Sequence, residues 1–351
     1  MMANESESEL THLATFPRMR ALAWSGSKLY ASRGYTLVSL QLGSGSVEWR
    51  KVAAYRPAWW RKFTASIPLT FRLVRDGFHA LAVLSSGHLI AAVPGAIVRL
   101  CPGQSEFAIA HKILRGTRPL HIAVTPNDQI FWGEYFDNPD RDEVHIYSSS
   151  DQGATWNVAY TFPKGAIRHV HNIVYDKWKN CLWILTGDNG AECRILRASP
   201  DLRSVDVILS GNQQARAVAL VPDEQGVYFS SDTPFETNHV YYLDRQGNVS
   251  ERTTLSGSSI YGCAVGDSIF FSTMVEPSTV NPDRHVNLYA SRAGQSWQQV
   301  MQWEKDRWPM GLFQYGNAML PDGDNTTSIL AVSTIAVDGA NHLASFWKIT
   351  L

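Results

Sequence analysis

Short stretches in which apolar and polar residues alternate, each closed by a turn, recur along the whole chain. "HALAVLSSG" (79–87), "HIAVTPND" (121–128), "HNIVYDKW" (171–178), "AVALVPDE" (217–224), "YGCAVGD" (261–267) and "NAMLPDGD" (317–324) have this form, and "RALAWSGS" (20–27) adds a seventh. Alternation with a period of two residues is the mark of half-buried β-strands, and nothing in these stretches shows the wider apolar stripe of a helix. The pattern therefore predicts an all-β fold of short strands.

A longer repeat lies over the alternation. "NPDRDEVHIYSSSDQGATWNVAYTF" begins at Asn138 and "NPDRHVNLYASRAGQSWQQVMQW" at Asn281, and "NHVYYLDRQGNVSERTTL" (238–255) carries the same strand and turn between them. Aligning Val144, Val240 and Val286 puts the repeat unit near 48 residues, the size of a propeller blade made of four antiparallel strands. The expected fold is a seven-bladed β-propeller, with a six-bladed ring as the alternative. Residues 1–9 read as an acidic, disordered tail and residues 10–351 as one propeller domain. "SFWKITL" ends the chain where a third strand should finish. Residues around 10–16 are thus expected to supply the outer strand of the last blade and close the ring.

Within the repeat, "SSSDQGATW" (148–156) lies between the strand-forming runs "EVHIY" and "NVAYTF", so it reads as a hairpin turn. Asp151 would accept backbone N–H groups and Gly153 would supply a positive φ. Ser149, Asp151, Gly153, Thr155 and Trp156 resemble the Asp box of the sialidase-like propellers, also called BNR repeats. Ser291, Gly294, Ser296 and Trp297 resemble a degenerate second copy. The resemblance implies a structural turn between the third and fourth strands of a blade, remote from any catalytic face. The early string "FPRMR" (16–20) departs from the arginine motif of sialidases, so a typical sialidase activity is not implied.

In a propeller, the starts of the innermost strands and the ends of the second strands converge on one mouth of the central channel. The first set contains His79, Arg118, His121, Arg168, His169, His171, Arg216, Tyr261 and Tyr315. The second contains Glu134 and Tyr135 in "FWGEYFDN", Asp188, Asp232 and Glu276. Strand ends are wet and collect charge for that reason alone, but here the polar groups gather at one end of otherwise apolar strands. His169 and His171, two apart on a strand, face one side. With His121 from the adjacent blade they offer three imidazoles to one divalent metal or one substrate, the fourth ligand being open.

Two reaction schemes use these groups. In a uronate oligosaccharide lyase, His169, His171 or Tyr135 would abstract a proton, while Arg118, Arg168 or Arg216 neutralised the developing charge. In a glycoside hydrolase, Glu134 and Asp188 would be the carboxyl pair. Substrate contacts would come from His121, Asp232, Tyr261 and Tyr315. The third reading is a non-catalytic propeller that binds a glycan or a protein through Trp132, Tyr135 and the mouth loops.

Composition narrows the partners. The formal charge is −1, from 31 basic and 32 acidic residues, which provides no field for a polyanion and argues against nucleic acid. Four cysteines without a CxxC pair are not a disulfide framework. The N-terminus has no basic and apolar leader, so a cytoplasmic location is expected. One segment stands out: "RPAWWRKFTASIPLTFRLVR" (56–75), rich in aromatic and basic residues. It reads as an inter-blade insertion covering the channel mouth rather than as a segment lying on a membrane surface.

Overall fold

The computed structural model describes residues 9–43 and 48–350. Strands dominate, and all seven inner segments named above are β-strands or begin them. Antiparallel four-strand meanders cover residues 20–54, 80–112, 123–162, 170–210 and 217–255 and stand as five separate sheets, the first extended by the short strand Asp322–Asn325. The remaining strands form an eight-stranded sheet, joined where Met274 and Val275 pair with Asn317 and Gly316. The expected seven separate sheets are thus not what forms, because that pairing merges the last strands into one sheet. The fold is an all-β propeller of four-stranded blades.

The 48-residue register is visible in the packing. Val144, Val240 and Val286 all lie in the third strands of their meanders and are fully buried. The core lies between neighbouring sheets, in a series of apolar clusters. One packs Tyr30 and Leu37 against Leu81 and Val98; another packs Trp183 and Leu185 against Phe229 and Leu243. The cluster of Met19, Ala21, Trp24, Ala331 and Phe346 joins the first sheet to the last and closes the ring.

Closure uses both ends of the described chain. Glu9–Pro17 pairs antiparallel with Leu343–Thr350, so the outer strand comes from the N-terminal side, as its position in sequence predicts. Residues 1–8 of the expected tail lie outside the described residues, and residue 9 already belongs to that strand.

The insertion folds as two short helices, α1 (Trp59–Ser66) and α2 (Pro68–Val74). Arg72 is the anchor. Its guanidinium is buried, pairs with Asp306, and donates from Nε to the Phe313 carbonyl at 2.7 Å. Asp76 is also buried and accepts from Tyr35 and Arg61, each at 2.7 Å. Neither helix, nor any other described one, is long and apolar enough to cross a membrane.

The turn at 149–156 is built from its own side chains. Asp151 accepts from the Thr155 N–H at 2.9 Å and from the Thr155 and Ser149 hydroxyls at 2.6 and 2.8 Å, and Ser149 accepts from the Gly153 N–H at 3.0 Å. Gly153 has φ +79°, and a Cβ there would lie 2.4 Å from Ile90 Cδ1 of the preceding blade. The turn is therefore an outer clasp between blades, with Trp156 set edge-on against Trp132. Trp297 packs in a tilted arrangement against Phe271 and Tyr228.

Candidate functional site

Local irregularities in the strands aim the mouth residues. The inner strand Val170–Asp176 carries a register shift between Val170 and Asn172, at His171. Similar shifts occur near the starts of the inner strands at 21–23, 217–220 and 259–261. An extra residue of this kind breaks the alternation and re-aims a side chain, and barrel and propeller rims favour it. On the facing strand, Gly187 turns the chain with φ +108°, and a Cβ there would meet the Glu192 carbonyl at 2.2 Å. Asp188 follows directly and points back at the histidines.

Three of the expected residues meet here. His171 Nε2 is 3.0 Å from His169 Nε2, and Asp188 lies 3.4 Å from the first through Oδ1 and 3.6 Å from the second through Oδ2. Each ring is oriented from behind: His169 Nδ1 is 3.1 Å from the Phe136 carbonyl and His171 Nδ1 is 2.9 Å from the Ala217 carbonyl. A carbonyl only accepts, so both Nδ1 atoms carry hydrogen and both Nε2 atoms face Asp188. Tyr135 covers the pair, its ring 4.3 Å from that of His169.

Asp188 is surrounded by positive charge as well. Arg168 lies 3.1 Å from it and Arg216 3.3 Å, and Arg216 also reaches Asp232 at 3.7 Å. Burial raises the Asp188 carboxyl, but hydrogen bonds and charge from His169 and His171 in their protonated form outweigh burial and hold it well below the usual carboxylate range. Burial pushes His171 down. Asp232 moves the other way: burial raises it, Arg216 offsets part, and the charges of Glu276 and Asp188 add, leaving it at about 7. Glu276, hydrogen-bonded to Tyr315, is likewise raised by burial. Burial pushes Tyr135 up to about 12, with Asp232 and Asp188 adding to the shift.

The opposite side of the mouth is cationic. Arg20 donates to His79 Nδ1 at 3.3 Å and to the His79 carbonyl at 2.9 Å, and lies 3.5 Å from the Tyr261 hydroxyl. His79 Nε2 donates to the Arg75 carbonyl at 2.8 Å, which fixes the neutral tautomer. Burial, with Arg118, Arg20 and Arg75 adding, pushes His79 well down. Burial lowers Arg118 to about 10, with Arg75 and Arg20 adding to the shift. Among the described residues, none of Arg20, Arg75 and Arg118 makes an ion pair with a carboxylate. Arg20 and Arg75 were not among the expected mouth residues: Arg20 opens the first inner strand and Arg75 caps α2, and their common approach to His79 marks them.

Several expected partnerships do not form. His121 turns to Asp322, with Nδ1 3.1 Å from Oδ2, and its third-imidazole role in a metal set falls to Asp188 instead. The Glu134 carboxylate is taken by Arg115 and by the His145 N–H at 2.8 Å, while its carbonyl bonds the Val170 N–H of the next blade at 3.0 Å. Glu134 thus shares none of the ion-pair and hydrogen-bond partners of Asp188, and the carboxyl pair expected for hydrolysis is not assembled. Trp132 is buried, stacked on Tyr147 at 4.3 Å, and is not a ligand platform. On α1, Trp59 is 82% and Phe63 66% exposed.

A cavity of about 670 Å³ opens elsewhere, beside α2, lined among others by Arg72, Arg284, Lys305, Asp306 and Arg307. Its central charges, Arg72, Asp306 and Lys305, already satisfy one another, so it offers less unspent chemistry than the mouth.

No family model and no curated protein matches the chain. Solved structures do match in fold. A chain in the crystal structure of the mitotic checkpoint complex aligns with TM-score 0.61 and 10% identity, over 100% of this chain and 99% of that one. The WD40 β-propeller domain of Doa1 aligns with TM-score 0.57 and 12% identity, over 97% of each chain. At these identities the likeness is one of fold: the chain is a β-propeller resembling WD40 propellers along its whole length.

Proposed function

We propose that this protein is a binding propeller whose channel mouth takes a carboxylate-bearing ligand of the uronate saccharide class. The observation that supports this most is the convergence of Arg20, Arg75 and Arg118 on His79 with no carboxylate to neutralise them. Arg20 and Arg118 are half-buried and Arg75 is exposed, and guanidinium groups that approach one another without a carboxylate between them gain most from an anion with paired oxygens. We count the eight-stranded sheet as two blades, which gives seven, and read the Asp151 turn as kinship with sialidase-like propellers. Binding is the economical reading because the Glu134–Asp188 pair is absent. A lyase or hydrolase would have to work with Asp188 ionised and Asp232 near neutrality, two carboxyls whose surroundings push them apart.

Calorimetric titration with trigalacturonate and with its neutral methyl ester tests the proposal. The acid should bind, the ester should not, and Arg118→Gln should weaken binding at least about tenfold. Equal binding of both, or of neither, refutes it. Unsaturated products absorbing in the near ultraviolet, or new reducing ends, would move the reading to an enzyme.

A second reading has its own observation. Trp59 and Phe63 on α1 and Leu73 on the adjoining α2 are all exposed, apolar side chains of the kind a protein partner covers. Under this reading Trp59→Ser with Phe63→Ser removes partner binding and leaves trigalacturonate binding intact. Co-sedimentation with anionic vesicles, lost in the same variant, would instead show a membrane-surface role.

A further inference from the structure

We infer that His169, His171 and Asp188 form a binding site for one divalent first-row metal ion. The inference is independent of the ligand proposed above and rests on how the lone pairs of these residues are directed. Both Nδ1 atoms donate to backbone carbonyls, of Phe136 and Ala217, so each neutral ring carries its free lone pair on Nε2. The two Nε2 atoms nevertheless lie 3.0 Å apart, with Asp188 oxygens 3.4 and 3.6 Å away. These two nitrogens and two carboxylate oxygens, facing one another at this range, repel unless a metal ion or a proton lies among them.

The spacing fits a metal. Ligand atoms about 2.1 Å from a shared ion, at angles between a right angle and the tetrahedral value, sit roughly 3.0–3.4 Å from each other. The Nε2–Nε2 separation of 3.0 Å falls in that range, and the carboxylate meets it with both oxygens, Oδ1 3.4 Å from His171 and Oδ2, just beyond the range, 3.6 Å from His169. The outer arrangement fits as well, since metal-bound imidazoles donate their second N–H to a carbonyl or carboxylate, which fixes the tautomer. Two histidines and one carboxylate leave coordination positions open for water or a ligand. The side chains are almost fully buried, at 6%, 2% and 12% exposure, whereas Arg168, at 31%, keeps a path to solvent.

Arg168 and Arg216 also contact Asp188, and their charge opposes that of a dication. They lower the affinity without removing the site, because a carboxylate offers about four lone-pair positions and the guanidinium groups use only some. The rival arrangement is a proton in place of the metal, with one ring an imidazolium hydrogen-bonded to the other. Both arrangements satisfy the geometry, and they differ in a direct measurement.

The test is equilibrium dialysis of the full chain against Zn²⁺ and Co²⁺, followed by metal analysis. One equivalent of metal is expected, lost in His169→Ala and in Asp188→Asn and retained in His239→Ala, a histidine outside the cluster. Unfolding of the variants is checked by circular dichroism. A measurement on the unaltered chain covers the case in which they do not fold. Cobalt ligated by both Nε2 atoms should give two slowly exchanging, strongly shifted proton signals from the Nδ1–H groups, which the carbonyls shield from solvent. Absence of stoichiometric binding by either metal overturns the inference. So does binding without the two shifted signals, and so does a nitrogen-15 spectrum of the metal-treated chain showing an imidazolium in the pair at neutral pH.

Discussion

At the scale of single residues, two aspartates show how surroundings decide a role. Asp151 lies on an outer turn, where burial raises its carboxyl but the hydrogen bonds from Thr155, Ser149 and Ala154 win and hold it at about 2. A folded-state value below the unfolded one of about 3.9 means that its stabilisation is complete above that pH and is lost as pH falls toward 2. Asp151→Ala should lower the melting temperature by a few degrees at pH 7, and trigalacturonate binding per folded molecule should not change. Scanning calorimetry and titration on one sample check both halves. Asp232 is the reverse case, raised to about 7 by burial. Its stabilising contribution is complete below about pH 4 and is lost as pH rises through 7. Asp232→Asn should therefore flatten the melting profile between pH 4 and pH 8, the two proteins diverging by on the order of 1–3 kcal/mol. Parallel profiles would show that Asp232 is ionised throughout.

At the scale of elements, legibility in the sequence followed the distance between interacting groups. The Asp151 turn was readable because Ser149, Asp151, Gly153 and Thr155 satisfy one another within a few positions. Strand identity was readable because alternation is local, and the ends of second strands bring Asp188, Asp232 and Glu276 close enough for their charges to act on one another. Side-chain direction at those ends was not. Glu134 turns to Arg115, and His121 crosses the channel to Asp322, 201 positions away in sequence, a choice that only ring closure makes available. The shift at His171 was also invisible, since a single extra residue in a strand leaves no composition signal. The helices at 56–75 were foreseen only as an insertion. Their attachment depends on one buried cation, Arg72, held by Asp306 and the Phe313 carbonyl. Arg72→Met should leave the propeller folded and release the helices. Limited proteolysis should then cut within residues 56–75 in the variant under conditions where the parent chain resists. An unchanged cleavage pattern would place the anchor elsewhere, in the Asp76 contacts.

The whole molecule is a ring, and its closure draws on both ends of the described chain. Most of the apolar clusters bridge two neighbouring sheets, and the bridge of Met19, Ala21 and Trp24 to Ala331 and Phe346 completes the circuit. The strand Glu9–Pro17 is the final piece, bonded along Leu343–Thr350 although more than 320 positions separate the two in sequence. Contacts of such long range form late and at a high entropic cost, so the closing strand is where the ring should open first. The mouth shares this dependence, because Arg20 lies just after the closing strand and its contacts to His79 and Tyr261 span the first, second and last sheets. Removal of residues 1–17 should thus do three things together. The melting temperature should fall by roughly ten degrees or more, since several ladder hydrogen bonds and a buried apolar edge are lost. The chain should self-associate through the uncovered edge of Leu343–Thr350, seen as larger species in size-exclusion chromatography. Binding of trigalacturonate should weaken even in the monomeric fraction, because Arg20 loses its fixed position. A truncated chain that stays monomeric and keeps both its melting temperature and its affinity would show that the ring is held shut by its apolar clusters alone.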